Sequence, residues 1–353
     1  MIVGDVTLRD VRSYAGLELR LEPGLVLVTG PNGAGKTNLL ESLHVATQGF
    51  SPRTRSDALL VRHGAAEGRI SVSGLRGTVP VETDVVVSRT EPKRVRLNGA
   101  AVRSVEQLRS EIATLVFTPD RLAVVKGGPA ARRAYFDRAL GRLLLIRATL
   151  PTEYGAAVGQ RNVALRRVAA GVSSRDALAP WTAQVADIGT ALVHARREAI
   201  ALLDPVFAER AEELGLARAG LRYDPEPPTT AAFEERLERD LERGATGLGP
   251  HLDEIAITAD ARDLRTLGSQ GEQRLAVLSL LLAEAALIAD RRGVPPLVLL
   301  DDALSELDGD RRRRLSERIG THGQAVVTAT GAEALPLAPA QLLVVSPGRV
   351  ERG

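Results

Sequence analysis

The sequence predicts an α/β protein with a mostly helical second domain inserted into it, and three observations carry that reading. Short apolar runs rich in β-branched residues occur early in the chain, at 25–28, 85–87 and 112–117, and return near its end, at 297–300, 325–328 and 342–345. Between about 120 and 244 such runs largely vanish. Helical periodicity replaces them over 131–145, 153–170, 181–203 and 233–243, punctuated by Pro151, Pro180 and the proline-rich stretch 224–228. Finally, a glycine-rich turn at 30–35 follows the strand run at 25–28 and leads into a helical pattern over 38–46. These changes of texture place an N-terminal lobe at 1–118, a helical insert at 119–246 and a C-terminal lobe at 247–353, the two lobes forming one interrupted domain. Asn98-Gly99 adds a type I′ hairpin turn.

Composition excludes several classes. Of 353 residues, 44% are hydrophobic and 25% charged, which is enough for a sizeable core without extreme charge. There is no Cys, so disulfides and Cys-ligated zinc are ruled out. Residues 1–12 read as a strand carrying Asp5, Arg9 and Asp10 and lack the apolar stretch of a signal peptide. The longest apolar stretch, 275–289, carries Glu284 and is too short to span a bilayer. A membrane-embedded chain is therefore not expected; the expected location is the cytoplasm, with no membrane partner in the favoured reading. Positive charge comes almost entirely from arginine, since lysine occurs only at 36, 93 and 126. The planar guanidinium suits phosphate because it binds two oxygens at once. Aromatic residues make up 3%, which argues against a base-stacking platform for single strands and favours backbone-directed duplex binding.

The chemistry sits in four motifs. Gly30-Pro31-Asn32-Gly33-Ala34-Gly35-Lys36-Thr37 fits G-x-x-x-x-G-K-T in its required setting of strand, loop and helix. Glycines let backbone N–H groups converge on phosphate, Lys36 reaches the β and γ phosphates, and the Thr37 hydroxyl binds Mg²⁺. The apolar run 297–300 ends in Asp301-Asp302, the Walker B pattern. Successive residues on a strand point to opposite sides, so two roles follow: Asp301 for the Mg²⁺ shell, Asp302 as catalytic base or water-orienting acid. Ser269, Gln270 and Gly271 open the long apolar helix. The Ser269 hydroxyl, the Gly271 amide and the helix N-terminus make a second anion site. One chain already has a phosphate site at the glycine loop, so a second makes sense if it caps the γ-phosphate held by a partner copy, giving an ATP-dependent homodimer. Ser269 with Glu272 also reads as a capping box, and both roles are compatible. Ser305-Glu-Leu-Asp308 then follows the acid pair. Thr328-Ala-Thr330 ends the next apolar strand, where a switch residue, commonly His, would sit; no His is present there.

This order of motifs resembles that of the ABC ATPases, with 305–308 as the D-loop. The reading is thus a P-loop ABC-type ATPase head with an inserted, mostly helical second domain. Beyond the shared motifs, the chain resembles the RecF family of bacterial recombination mediators over nearly its whole length. The likeness rests on 8–14, on 30–43, on Gly49-Phe-Ser-Pro-Arg-Thr54, on 117–122 with 126–133 and Asp137, on Gly249-Pro-His-Leu-Asp-Glu254, and on 300–308. Leu252 and Glu254 depart from the usual Arg and Asp, and Phe50 and Pro52 also differ; no clear Q-loop glutamine is present, and 117–120 takes its place.

The resemblance implies nucleotide contacts from Arg12 and Asn38 beside the loop. It implies ATP and Mg²⁺ as cofactors, a slow DNA-dependent ATPase, and an ATP-induced dimer on duplex DNA at single/double-strand gap junctions. It also implies a RecR-type mediator partner, help in recombinase loading, and release upon hydrolysis. Candidate DNA contacts are Arg53, Arg55, Lys126, Arg132 and Arg133, with Arg161, Arg166 and Arg167 as a further cluster. His251 is left open between structural and functional roles. The competing expectation is an ABC-type nucleotide-binding subunit driving a membrane or other protein partner; the long helical insert weighs against it.

Overall fold

An uninterrupted apolar run dictates the centre of the head. β3 (Leu25–Thr29) is buried along its whole length, as expected for a strand covered on both faces. In the computed structural model, which describes residues 1–102, 104–320 and 323–353, β3 lies between β13 (Ala325–Ala329) and β14 (Gln341–Ser346), parallel to both. β12 (Leu297–Leu300) pairs in parallel with β13 and with β8 (Thr114–Phe117), and β15 (Arg349–Arg352) closes the other edge in antiparallel fashion. The register sets Leu300 opposite both Phe117 and Val327. The glycine loop after β3 and the acid pair after β12 therefore emerge at the same, C-terminal, end of this parallel sheet, where such sheets place their ligands.

A second sheet of the same unit is antiparallel. Among the described residues its order is β2 (Tyr14–Arg20), β1 (Ile2–Val11), β4 (Glu67–Arg76), β5 (Val79–Ser88), β6 (Arg94–Leu97) and β7 (Ala100–Ala101). The last pair is joined by Asn98 and Gly99, both at positive φ (50° and 79°), the type I′ geometry read from the sequence. Between the sheets runs the helix Lys36–Gln48, every residue of which from Leu39 to Gln48 is buried. Leu39, Leu43, Val6, Leu8, Val28 and Val85 share one core there.

By packing, the chain divides into two compact units: Met1–Leu122, Arg210–Leu216 and Val277–Gly353 form one, and Ala123–Glu209 with Ala217–Ala276 the other. The lobes read from sequence were drawn at changes of texture; by packing, residues 247–276 go with the second unit, because β10 (Ala256–Ala259) pairs with β9 (Ala219–Arg222) and β11 (Arg262–Asp263).

The second unit is chiefly helical, with helices Pro129–Leu143, Leu150–Ala169, Ala179–Glu213, Thr230–Glu235 and Leu237–Arg243. The helix expected at 181–203 continues to Glu213 through Pro205, held by the buried Phe207 and Ala211 beyond the proline. The helix expected over 233–243 is instead two, broken at Arg236.

A fully buried ion pair holds these helices. Arg161 Nη1 donates to Asp240 Oδ2 at 2.8 Å and to Thr246 Oγ1 at 3.0 Å, and the guanidinium lies 4.7 Å from the Phe233 ring centroid. Both charged side chains are 0% exposed. Breaking one partner of such a pair strands the other charge, so Arg161→Met is expected to cost about 3 kcal/mol. Urea unfolding of the full chain checks this; a loss under about 1 kcal/mol would show the pair to be dispensable.

Candidate nucleotide-binding site

The glycine loop owes its path to two positions where no other residue fits. Gly30 has φ +148°, and a Cβ there would lie 2.3 Å from the Val345 carbonyl oxygen. Gly35 has φ +118°, and its Cβ would meet Ser13 Oγ at 2.9 Å and Tyr14 Oη at 3.0 Å. The turn between β1 and β2 is thus pressed against the loop, and hydrogen bonds fix it there. Tyr14 Oη donates to the Gly35 carbonyl at 3.1 Å, and Asn38 Nδ2 donates to Ser13 Oγ at 3.0 Å. Burial pushes the Tyr14 hydroxyl up to about 12, so it remains a donor at neutral pH.

Pro31, Asn32 and Gly33 are exposed, whereas Ala34 is buried beneath them. Lys36 Nζ curls over the loop and donates to the Gly30 and Pro31 carbonyls at 2.6 and 3.0 Å. Burial draws the Lys36 pKa below the usual lysine value, against the opposing pull of Asp302 and then Asp301.

Residues far apart in sequence meet beside Thr37. Its hydroxyl donates to Asp301 Oδ1 at 2.9 Å, across 264 residues of chain. The same oxygen accepts from Thr328 Oγ1 at 2.8 Å, and the Asp301 amide donates to the Phe117 carbonyl at 2.9 Å. Both acids lie just past the end of β12; Asp301 is buried, whereas Asp302 is exposed and left-handed, with φ +51°, so the two face different surroundings through this turn of the backbone rather than through strand alternation. Asp308 stands just before the helix Gly309–Gly320 and accepts the Arg311 amide at 2.9 Å.

Sequence reading missed the group that organises the other flank. Glu41, one turn beyond Thr37 on the same helix, is 2% exposed. It receives Arg12 in bidentate fashion, both contacts at 2.8 Å, the Ser51 hydroxyl at 2.5 Å and Arg53 Nη1 at 3.4 Å. Ser51 in turn caps the amides of Arg53 and Thr54. A buried carboxylate needs such partners, and here they tie 49–54 and Arg12 to the P-loop helix. A Glu in a helix otherwise buried along its length was the available signal.

In the second unit, Ser269, Gln270 and Gly271 are all exposed at the start of the helix Gln270–Arg292. The capping box is present: the Ser269 amide donates to Glu272 Oε2 at 2.7 Å and the Glu272 amide to Ser269 Oγ at 3.2 Å. These bonds, from the Ser269 backbone first, hold the Glu272 carboxyl below its ordinary range.

The expected DNA-contacting cations separate by burial. Arg53, Arg55 and Lys126 are exposed, as are Arg166 and Arg167. Arg133 is half-buried and donates to the Asp253 carbonyl at 2.6 Å. Arg132 corrects the reading. It is 2% exposed and turned inward to Glu254 Oε1 at 2.7 Å and the Val125 and Gly127 carbonyls, so it leaves the candidate DNA surface. Arg161 leaves it for the same reason. His251 is structural in its contacts. Nε2 lies 3.0 Å from the Thr246 carbonyl and must donate, so Nδ1 accepts from the Tyr154 hydroxyl at 2.9 Å. Burial lowers the His251 pKa, consistent with a neutral ring.

The family model described as RecF/RecN/SMC N terminal domain matches residues 2–349. A DNA replication and repair protein RecF from Heliobacterium modesticaldum is 34% identical, the alignment spanning 100% of this chain and 98% of that one. Its counterpart from Frankia alni is 35% identical over 92% of each.

The chain belongs to the RecF family of DNA replication and repair proteins.

Among solved structures, the recombination mediator protein RecF with ATP superposes with a TM-score of 0.90 at 22% identity, over 100% of this chain and 97% of that one. An Smc head bound to the C-winged helix domain of ScpA gives 0.63 at 15%, over 100% and 97%. The fold is thus the SMC-like, ABC-type head expected from the motif order. Family membership disfavours the transporter-like alternative, and among the described residues no helix is long and apolar enough to cross a membrane.

Proposed function

We propose that this chain is an ATP-driven DNA clamp of recombinational repair and replication. It binds and hydrolyses ATP at the P-loop, dimerises while ATP is bound, and holds duplex DNA at gap junctions. Slow, DNA-dependent hydrolysis releases it. The observation that carries the proposal is the bond between Thr37 and Asp301, which brings the phosphate loop and the acid pair into one site. A hydroxyl and a carboxylate 2.9 Å apart are hard oxygen donors of the kind Mg²⁺ takes, the remainder of its shell coming from phosphates and water. Thr37 and Asp301 would hold the ion, and bound Mg²⁺ would neutralise charge on the phosphates.

This chain's own residues supply the rest. The loop amides at 30–35 cradle phosphate, Lys36 neutralises it, and Asp302 orients or deprotonates the attacking water. Arg12, Asn38 and the remaining loop residues frame the nucleotide. Ser269, Gln270 and Gly271 cap the γ-phosphate held by a second copy, and Asp308, as D-loop residue, lines that same junction. The exposed Arg53, Arg55 and Lys126, with the half-buried Arg133, support a phosphate-directed DNA surface. A RecR-type mediator, recombinase loading and a cytoplasmic site of action complete the reading, on the strength of family membership.

Fluorescence anisotropy with a gapped duplex tests it. Affinity is expected to be at least about tenfold higher with Mg·ATP than with ADP and to fall steeply with salt, as phosphate contacts require. Equal affinity with ATP, ADP and no nucleotide would sink the clamp.

A further inference from the structure

We infer that Thr328 is a positioning residue for hydrolysis, a hydroxyl clamp that sets both acids of the pair at once. The inference rests on the reading of the P-loop site as an ATPase.

Thr328 is 1% exposed near the end of β13. Its Oγ1 lies 2.8 Å from Asp301 Oδ1 and 3.0 Å from the Asp302 amide nitrogen. A hydroxyl has one proton and two lone pairs. The carboxylate can only accept and the amide can only donate, so the proton points to Asp301 and a lone pair receives the Asp302 N–H. Both bonds are thereby fixed in direction.

Each bond has a separate consequence. Asp301 Oδ1 already accepts the Thr37 hydroxyl at 2.9 Å; with Thr328 it is occupied by two donors, which orients the carboxylate relative to the P-loop helix. Asp302 has φ +51°, a conformation unfavourable for a residue with a Cβ, and it persists only where its surroundings hold it. The bond from its amide to Thr328 is such a hold, supported by Ser305 Oγ on the Asp302 carbonyl at 3.2 Å. Thr328 thus determines where the carboxylate of Asp302 is presented while standing behind it.

The test compares Thr328→Val, which keeps the shape and deletes both bonds, with Thr328→Ser, which keeps the hydroxyl. ATP turnover of the full chain is measured with duplex DNA and saturating Mg·ATP, and binding of a fluorescent ATP analogue is measured in parallel. Loss of the clamp should lower kcat about tenfold or more in Thr328→Val while KM and analogue affinity stay within about twofold, the pattern of an interaction that matters in the transition state. Thr328→Ser should retain roughly half the wild-type kcat or better.

Thr328→Val turning over like wild type overturns the inference. So does Thr328→Ser as slow as Thr328→Val, or a joint loss of binding and turnover, since either points to packing alone. Absence of turnover in the wild type removes the ATPase reading itself and the inference with it; the wild-type arm alone tells these cases apart.

Discussion

Asp302→Asn is expected to reduce ATP turnover by about 10² to 10³-fold while leaving nucleotide and DNA binding in place. The size follows from the role: an amide cannot take a proton from water, and a positioned general base contributes on that scale. The selectivity follows from the geometry. Asn tolerates left-handed backbone better than other side chains do, so φ +51° survives the exchange, and the amide bond to Thr328 does not involve the altered group. Lys36 keeps Asp301 as a neighbouring carboxylate. With hydrolysis blocked and the ATP state preserved, complexes with gapped duplex should become longer-lived. Single-turnover hydrolysis and DNA dissociation, measured on the same preparation, check both halves. Turnover within about threefold of wild type would remove Asp302 as the base.

How much of this was legible in the sequence follows from the range of each interaction. The glycine loop declared itself because its constraint is local: Gly30 and Gly35 are required by their own φ and by close neighbours. The capping box at Ser269 and Glu272 is equally local, as is the Asn98-Gly99 turn. The acid pair, a weak signal alone because buried strands often end in Asp as a turn residue, was legible because the glycine loop upstream gave it meaning. Thr328 stood near a notable position, but its bonds to Asp301 and Asp302 depend on β13 lying beside β12, which no spacing reveals.

Arginine misled most. Arg132 and Arg161 read as surface charge, yet each is buried against a carboxylate distant in the chain, Glu254 and Asp240 respectively. In a chain that uses Arg for nearly all its positive charge, phosphate-binding and structural guanidiniums look alike until their partners are known. Short strands failed for a related reason. β9, β10 and β11 are too brief to show alternation, and they exist because they pair with one another.

The exposed Ser269 supports the second large prediction, that ATP-induced dimerisation will be lost on changing that residue alone. Two functions meet in its side chain: it caps its own helix at 3.2 Å from the Glu272 amide, and it faces solvent where a partner's phosphate would be bound. Ser269→Arg blocks the second role by bulk but also removes the cap, at a cost of about 1 kcal/mol. Ser269→Asp separates them. Aspartate caps as well as serine does, so folding stability should be unchanged, whereas its negative charge repels phosphate. In size-exclusion chromatography with light scattering, the wild type should shift from monomer to dimer on adding Mg·ATP, and both variants should remain monomeric. The Asp variant should nevertheless bind a fluorescent ATP analogue like wild type, because its own P-loop is untouched. If both variants dimerise normally, Ser269 is a helix cap and nothing more. If the Asp variant dimerises and the Arg variant does not, bulk rather than phosphate contact explains the loss. The γ-phosphate would then be capped by other groups, with the Gly271 amide and the helix N-terminus the first to be tried.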